Sequence, residues 1–319
     1  MRKSLMRMTL RQLQVFRAVC ESRSYSRAAE EMALTQPAVS LQIRQLEELV
    51  GQPLFEYIGK KLYQTDAADA LLRASNDIFQ RLENLDMQLS DLKGSLQGQL
   101  RLAVESSAKY ITPHLFARFQ EQHPEVNLHL TVVNRAQVIK RLSDNRDDLV
   151  IMSLVPQDMA LEFLPFLNNP IIAVAPPDHP LCSAAKLSLK DLEPWPLLIR
   201  EPGSGTRKAI EEHFQQKRAH FPQTLEFSSL EGSREGVLAG LGLALLPRHA
   251  VNRELNAGLL RELPVEELPL YRSWCLVHAR GKRLSPVAQA FVAFIRDGRA
   301  MISQLAERFS APSEPKPGS

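Results

Sequence analysis

Cysteine is scarce in this sequence, and side chains that bind metals are not grouped. The three cysteines, Cys20, Cys182 and Cys275, show no CxxC spacing, and no two of the eight histidines stand at metal-ligand spacing. An odd number of widely separated cysteines is typical of proteins in a reducing compartment. The sequence therefore predicts no metal site, and a redox pairing of Cys182 with Cys275 stays open as a less favoured alternative.

Long apolar runs are missing as well. No stretch approaches the roughly 18 apolar residues of a membrane span. No apolar segment follows the basic start Met1-Arg-Lys before Thr9, although a signal peptide requires one. We expect a protein that works in the cytoplasm without contact with a membrane.

The sequence also lacks the motifs of catalysis. It has no Ser-His-Asp motif context and no paired-carboxylate motif, and Gly203-x-Gly205 lacks the third glycine of a dinucleotide fingerprint. An enzyme built on an α/β fold would need one of these features or a metal cluster. We expect neither catalytic activity nor a bound cofactor.

Positive charge is concentrated at the start of the chain. Residues 1–65 hold ten Lys and Arg but six Glu, a net charge of +4, whereas the whole chain carries +3. The other 254 residues are therefore slightly negative. This distribution favours contact of the first segment with phosphate groups of a nucleic acid.

The most informative stretch runs from Ser24 to Glu48 and predicts two short helices, at residues 26–33 and 36–49. Thr35 can cap the second helix with its hydroxyl, and Pro37 suits a first helical turn. One face of this helix is apolar, with Val39, Ile43, Leu46 and Val50 at helical spacing.

The opposite face of the second helix carries Pro37, Ser40, Leu41, Arg44 and Gln45. Such a face suits the recognition helix of a helix-turn-helix, which enters the DNA major groove by its N-terminal residues. Spacing alone leaves an ordinary amphipathic helix pair with a solvated outer face equally open.

A family resemblance decides between the two interpretations. Ala28-Ala29, Thr35-Gln-Pro-Ala-Val-Ser40, Gln42-Ile-Arg-Gln-Leu-Glu47, Gly51 and Leu54-Phe55 resemble the signature of LysR-type transcriptional regulators. The resemblance covers residues 9–303 and implies three parts of an α/β protein. These are a mainly α-helical winged helix-turn-helix at 1–65, a dimerising linker helix and hinge at 66–97, and a periplasmic-binding-protein-like effector domain at 98–309. Residues 310–319 are too proline-rich and polar to fold. The DNA-binding residues are predicted to be Ser26, Arg27, Thr35, Gln36, Pro37, Ser40, Leu41, Arg44, Lys60 and Lys61.

Two further patterns fit that organisation. Residues 54–65 predict two short strands around a Gly59-Lys60 turn, the wing, although a solvated hairpin fits them too. A long helix then runs to about residue 93 with an apolar stripe that predicts pairing with a second chain; packing on its own domain is the alternative. The predicted dimerisation residues are Leu71, Ile78, Leu82, Leu85, Leu89 and Leu92, with Ala74 on the same stripe. Ala68 stands where the family usually has glycine, which is expected to stiffen the start of this helix.

Alternating strands and helices in residues 98–309 predict a mainly parallel sheet. The chain is expected to cross between two subdomains near residues 168–172 and 269–272, so that 98–170 with 271–309 form one subdomain and 171–270 the other. A final helix is predicted from Ser285 to about residue 309.

Ligands of such sheets bind beyond the carboxyl ends of the strands, where helices begin. Free amides and hydroxyls at these helix starts make an anion site. The family resemblance implies ligand contacts at Ser106, Ser107, Asn134 and Thr206. The turn residues Gly203, Ser204 and Gly205 add backbone amides, unless they only form a tight turn. Arg200 and Arg207 are predicted from charge and position, with surface ion pairs as the alternative.

Three segments, at 147–152, 174–181 and 198–207, are most similar to the regulators of Calvin-cycle operons within this family. Those proteins sense phosphorylated metabolites or nicotinamide cofactors. The resemblance implies a homodimer or homotetramer that binds inverted repeats in double-stranded DNA, responds to a small anionic effector and contacts RNA polymerase. A solute receptor using only the C-terminal half and an α/β enzyme are the other classes considered.

Overall fold

The computed structural model describes residues 5–91 and 96–310, with no side-chain detail at 90–91 and 306–310. The described chain divides into two units, with the division between Asp86 and Met87 and with the short segment Ser143–Arg146 counted with the first unit. No helix of the described residues is long and apolar enough to cross a membrane.

The first unit is built from three short helices, a hairpin and a long helix. They are α1 (Leu10–Ser22), α2 (Tyr25–Glu31), α3 (Gln36–Val50), β1 (Phe55–Ile58), β2 (Lys61–Gln64) and α4 (Asp66–Asp91). The predicted helix pair and the predicted hairpin are confirmed. Helix α2 ends two residues earlier than expected because Ala33, in the turn, adopts a left-handed φ of 51°.

Side-chain caps fix where these helices begin. Thr35 accepts a hydrogen bond from the Ala38 amide (3.4 Å), as predicted, and Ser24 caps α2 through the Arg27 amide at the same distance. Gly51 ends α3 in the left-handed region with φ 78°, a conformation that costs glycine little. Local polar residues therefore set the bounds of the recognition helix.

The apolar face of α3 forms the centre of the first unit. Val39, Ile43 and Leu46 are buried against Phe16 of α1, and Leu54 closes the base of the hairpin. Cys20 and Ala68 belong to the same core. This packing leaves the opposite face of α3 to solvent.

The second unit alternates strands and helices. Its elements are β3 (Gly98–Glu105), α5 (Thr112–Gln122), β4 (Val126–Val133), α6 (Arg135–Ser143), β5 (Leu149–Met152), β6 (Leu161–Ala175), α7 (Leu189–Leu192), β7 (Leu197–Arg200), α8 (Gly205–Lys217), β8 (Thr224–Phe227), α9 (Leu230–Leu238), β9 (Leu243–Pro247), α10 (Asn252–Asn256), β10 (Arg261–Glu262), β11 (Leu270–Ala279), α11 (Pro286–Asp297) and α12 (Arg299–Ser310).

Within the described residues these strands pair as one sheet in the order β4-β3-β5-β11-β6-β9-β7-β8, with β10 also paired to β6. The prediction of a mainly parallel sheet is wrong at its centre. Strands β6 and β11 pair antiparallel with each other and with β5 and β9, while β3, β4 and β5 at one end and β7, β8 and β9 at the other pair parallel.

Strand β6 was not predicted because its sequence, Leu161–Ala175, contains two prolines and two asparagines, which favour loops. Its pairing with β11 supplies the crossings expected near residues 168–172 and 269–272, with Ile171 opposite Leu270. Separate apolar cores lie on either side of that crossing, one around Phe119 and Phe291 and another around Leu192 and Leu243. Two subdomains therefore share one sheet.

The final helix is also interrupted. Residues 286–310 form α11 and α12, which are separated by Gly298. A Cβ at Gly298 would stand 2.6 Å from the Phe294 carbonyl oxygen, so the chain turns where only glycine fits. Phe291 and Ile302 bury both helices in the same core. Of the predicted tail, only Ser310 lies within the described residues. Of the linker helix and hinge predicted at 66–97, residues 92–95 lie outside them.

Candidate functional site

The outer face of α3 carries the predicted DNA-reading side chains. Gln36, Pro37, Leu41 and Arg44 are exposed and Ser40 is half-buried. Leu41 is 50% exposed, which is unusual for a leucine on a helix whose other face is fully packed. The structure therefore presents a polar N-terminal face with one apolar group, the combination that reads base edges and thymine methyls.

The remaining predicted DNA contacts surround this face. Thr35 is exposed at the start of α3, and Ser26 and Arg27 are exposed on the first turn of α2. Lys60 lies in the hairpin turn and Lys61 begins β2, and both are exposed. The ion pairs found among the described residues do not include Arg27, Lys60 or Lys61. These three cationic side chains are therefore available to phosphates.

The hairpin adds two exposed apolar side chains that the sequence analysis missed. Tyr57 and Ile58 are 66% and 60% exposed and directly precede the turn at Gly59. Gly59 has φ 63° and no neighbouring atom within 4 Å of a built Cβ. The tip is therefore a protruding wing with apolar as well as cationic groups. In the sequence, the pair Tyr57-Ile58 directly before a glycine could have indicated these exposed apolar side chains.

The apolar stripe on α4 is exposed for most of its length in the single chain. Ile78, Leu82, Leu85 and Leu89 are 38% to 52% exposed. Leu71 differs, because it packs half-buried against the core of the first unit and is less free to meet a second chain than predicted. Leu92 lies outside the described residues.

The predicted effector residues meet between the two subdomains of the second unit. Arg200 Nη2 lies 3.5 Å from Ser106 Oγ, and Asn134 Nδ2 lies 3.5 Å from Glu201 Oε1. The Ala136 amide donates to the Gly203 carbonyl at 3.1 Å. The strand ends of one subdomain therefore face the Gly203–Arg207 turn of the other, as the sequence predicted.

The Gly203–Arg207 turn begins α8. Ser204 is buried and accepts a hydrogen bond from the Arg207 amide (3.4 Å), so it caps the helix, and Gly205 and Thr206 are buried beside it. Gly203 has φ 89°, and a Cβ there would stand 3.1 Å from Ala136 Cβ. The close approach of this turn to Ala136 and the positive φ both explain why residue 203 is a glycine.

The two predicted arginines have different environments. Arg207 pairs with Glu211 (2.7 Å) and Glu226 (2.8 Å) and also donates to the Arg200 carbonyl. These contacts match the surface ion-pair alternative, and the hydrogen bond that Arg207 donates to Glu211 is the largest influence raising the pKa of Arg207. Arg200 is only 3% exposed and is held by Glu201 through Nε and Nη2.

Ser107 is turned away from the facing turn. It is buried, and its Oγ accepts a hydrogen bond from Trp274 Nε1 at 3.2 Å. Ser106, by contrast, is half-buried and reaches Arg200 across the subdomain boundary. Of the two adjacent serines, Ser106 is therefore the one placed to touch a ligand directly, while Ser107 holds Trp274.

Glu105 is the functional candidate that sequence reasoning missed. Its side chain is 3% exposed, and Oε2 accepts hydrogen bonds from the Ser153 hydroxyl (2.8 Å) and amide (3.2 Å). Burial raises the pKa of Glu105, while the Ser153 bonds and the charge of Arg135 act against the rise. A carboxylate ending an apolar strand, directly before Ser106, was the signal in the sequence.

A cavity of about 450 Å³ lies against the start of α6 and the Gly203–Arg207 turn. Arg135, Gly203, Ser204, Arg207 and Lys208 line it, together with residues of α8. Its volume falls within the range of small-molecule sites. No group of three or more His, Cys, Asp or Glu side chains within the described residues could hold a metal ion.

The two cysteines considered for a redox role belong to different cores. Cys275 is buried beside Val150 and Val277, whereas Cys182 is half-buried beside the core of Leu187. Burial raises the pKa of Cys275 to about 11 and also raises the pKa of Cys182. Both side chains are thus thiols near neutral pH, and the reactive form is the thiolate.

A winged helix-turn-helix with an exposed recognition face, followed by a two-subdomain α/β unit with a lined cleft, defines the class of protein. It is a DNA-binding regulator with an effector domain. The family comparison gives the same class, because residues 10–69 match the bacterial regulatory helix-turn-helix protein, lysR family, and residues 93–300 match the LysR substrate binding domain. The chain belongs to the LysR family of ligand-responsive transcriptional regulators.

Relatives of known name confirm the narrower resemblance. The RuBisCO operon transcriptional regulator of Allochromatium vinosum is 42% identical over 91% of this chain and 96% of its own. The transcriptional activator CmpR of Synechocystis is 40% identical over 93% of this chain and 98% of its own. The regulator CbbR of Rhodospirillum rubrum is 43% identical over 90% and 95%. All three are named as regulators and not as enzymes.

Solved structures agree with the fold. The regulatory domain of Synechocystis CcmR in complex with 2-PG is 34% identical, with a TM-score of 0.61 over 63% of this chain and 97% of that chain. The LysR family regulator CbnR matches with a TM-score of 0.66 over 92% of this chain and 99% of its own, at 18% identity. The second match supports the fold alone.

Proposed function

We propose that this regulator binds inverted-repeat promoter DNA as a dimer or as a pair of dimers, and that a small anionic metabolite in the cleft changes its DNA contacts. The observation that carries the proposal is the exposed polar face of α3 on a fully packed helix-turn-helix. We propose that the metabolite belongs to carbon assimilation, because the relatives in Allochromatium vinosum and Acidithiobacillus ferrooxidans are named as RuBisCO operon regulators.

The first unit supports the DNA part of the proposal through its two kinds of contact. Gln36 and Arg44 are exposed on α3 and can pair bidentately with adenine and guanine edges. Lys60 and Lys61 on the wing can meet phosphates, which position a protein without reading sequence. Exposed Tyr57 and Ile58 lie next to these lysines, where they can cover sugar surfaces.

The stripe on α4 supports pairing of two chains. Ile78, Leu82, Leu85 and Leu89 place four large apolar side chains along one face of a long helix. Complete burial of such a side chain stabilises by roughly 1.5–3 kcal/mol, so a partner helix on this face gains several kcal/mol. A symmetric dimer presents two recognition helices and therefore predicts two half-sites of opposite orientation.

The cleft supports an anionic effector. Arg200 is buried with Nη1 free of a hydrogen-bond partner among the described side chains. Gly205 and Thr206 form the first turn of α8, which follows Arg200 along the chain, and helix N-termini favour anions. The complex of the CcmR domain with 2-PG supports a small anionic ligand here too.

We further propose that the bound regulator contacts RNA polymerase and works in the cytoplasm, where promoter DNA is found in bacteria. One of the relatives is named as a transcriptional activator, and activation at a promoter requires an effect on polymerase. A bacterial two-hybrid assay of the full chain against the polymerase subunits tests this contact.

Selection of bound sequences from a random DNA library tests the main proposal. We expect recovered sites to contain inverted half-sites whose centres lie about one helical turn, or a multiple of it, apart. A parallel selection with Arg44→Ala is expected to lose preference at one position of each half-site. Recovery of unrelated sequences by the wild-type chain would contradict the proposed DNA readout.

A further inference from the structure

Two charged side chains in the cleft each retain one buried polar atom without a partner. These atoms are Glu105 Oε1 and Arg200 Nη1, and both residues are 3% exposed. Buried polar groups are nearly always hydrogen-bonded, so each exception needs an explanation. A ligand that carries one hydrogen-bond donor for Glu105 and one acceptor for Arg200 would satisfy both atoms.

Glu105 and Arg200 belong to different subdomains and lie close together. The oxygens of Glu105 stand 2.9 and 3.0 Å from the point that a Cβ on Gly205 would occupy, at the first turn of α8. Arg200 ends β7 four residues before α8 and reaches Ser106, the neighbour of Glu105, at 3.5 Å. Both side chains therefore line the boundary between the two subdomains, which is the position proposed for the ligand.

The other polar atoms of these two side chains already have hydrogen-bond partners, so only Glu105 Oε1 and Arg200 Nη1 remain for a ligand. Glu105 Oε2 is held by Ser153, and Arg200 Nε and Nη2 are held by Glu201. Arg200 Nη1 can only donate, so it takes an acceptor oxygen, and an anionic oxygen makes the stronger hydrogen bond. Glu105 Oε1 accepts, so it takes a hydroxyl or another hydrogen-bond donor.

We propose that Glu105 determines effector specificity, so that the cleft selects anions carrying a hydroxyl group, such as hydroxy acids and phosphate esters that retain a free hydroxyl, over equally charged anions without one. This inference rests on the proposed function of the cleft as the effector site. An equally charged anion without a hydroxyl group would leave Oε1 without a hydrogen-bond donor in the bound state.

The expected discrimination is large, because a site built to hydrogen-bond a hydroxyl rejects analogues lacking it more strongly than an apolar site can. We expect at least about 30-fold tighter binding of the hydroxylated member of a matched pair. Glu105→Gln removes the charge and lets the side chain donate as well as accept. The preference is expected to fall below about fivefold, mainly because the unhydroxylated anion binds more tightly.

Isothermal titration calorimetry of the full chain tests this with two matched pairs, 3-phosphoglycerate against the phosphate ester 3-(phosphonooxy)propionate and malate against succinate. The wild type, Glu105→Gln and the control Glu121→Gln are compared. Glu121 is exposed on α5 in an ion pair with Arg118, so its variant is expected to keep the wild-type preference. A thermal melt verifies that each variant is folded.

Three results would overturn the inference. They are equal wild-type affinity within both pairs, an unchanged preference in Glu105→Gln, and the absence of wild-type binding by both hydroxylated probes at millimolar concentration. A DNA-binding assay with the same ligands separates this from the proposed function. A Glu105-dependent preference without any ligand effect on DNA would refute the proposed response and leave the inference standing.

Discussion

The exposed stripe on α4 allows the strength of the dimer contact to be predicted. Leu82 is 42% exposed and Leu89 is 52% exposed, so about half of each side chain remains to be buried by a partner. Complete burial of a leucine stabilises by roughly 1.5–3 kcal/mol, which leaves about 1 kcal/mol for each of these. A dimer contains two copies of both residues, or roughly 4 kcal/mol in all.

The double variant Leu82→Ala/Leu89→Ala is therefore expected to weaken dimerisation about 1,000-fold, because every 1.4 kcal/mol is about tenfold in a dissociation constant. Sedimentation equilibrium across a wide concentration range measures the change. Leu225→Ala is a matched control, because Leu225 is 40% exposed on β8 outside the stripe. A double variant with the wild-type dissociation constant, or a wild type that is monomeric at micromolar concentration, would refute the assignment of the stripe.

Three more predictions concern DNA reading, the Glu105 carboxyl group and the response to ligand. Gln36→Ala is expected to reduce discrimination at one base-pair position by roughly 1–3 kcal/mol, whereas Lys61→Ala weakens all sequences alike and lowers the salt slope by about one unit; binding to a site library compares them, and identical profiles would refute the division. Burial raises the pKa of Glu105 from its ordinary 4.5, so the folded state binds that proton more tightly than the unfolded state. Wild-type stability relative to Glu105→Gln should therefore fall as pH rises from about 4.5 through the raised pKa, and parallel melting-temperature curves of the two proteins would contradict this. Thr206→Ala should weaken the ligand response while DNA binding without ligand stays near wild type in an anisotropy titration; an unaltered response would place the ligand elsewhere.

The pH dependence of Glu105 also involves the groups packed around it. Arg135 on α6 lowers the pKa of this carboxyl group, as do the two hydrogen bonds from Ser153 after β5. Cys275 on β11 is close enough for Glu105 to help raise its thiol pKa. Because burial outweighs the opposing influences, the expected loss of stability with rising pH keeps its sign.

Features determined by neighbouring residues in the chain were predictable from the sequence. The caps at Thr35 and Gly51 and the apolar face of Val39, Ile43 and Leu46 depend on spacing within one helix. Their signals are local, so the bounds of α3 agree with the prediction to within one residue. The exposed stripe on α4 is equally local, because one helical period repeats along its length.

Features determined by distant contacts were not predictable in the same way. Strand β6 contains Pro165, Asn168, Asn169 and Pro170, and only its pairing with β11 holds these residues in an extended conformation. Charge alone also could not distinguish Arg200, which is buried beside Glu201, from Arg207, which is paired at the surface. Glu105 depends on tertiary structure most strongly, since its importance arises from Ser153 and Gly205 far along the chain.

Hydroxyl-radical footprinting on a DNA site recovered from the library tests the central claim most directly. The full chain is bound at saturation, with and without an anion whose binding has been established by calorimetry. We predict protection of two inverted half-sites, and a change in the extent of one half-site or in the bend between them when the anion is added. Identical footprints under both conditions, with the anion bound, would contradict the claim that occupancy of the cleft changes the contacts with DNA.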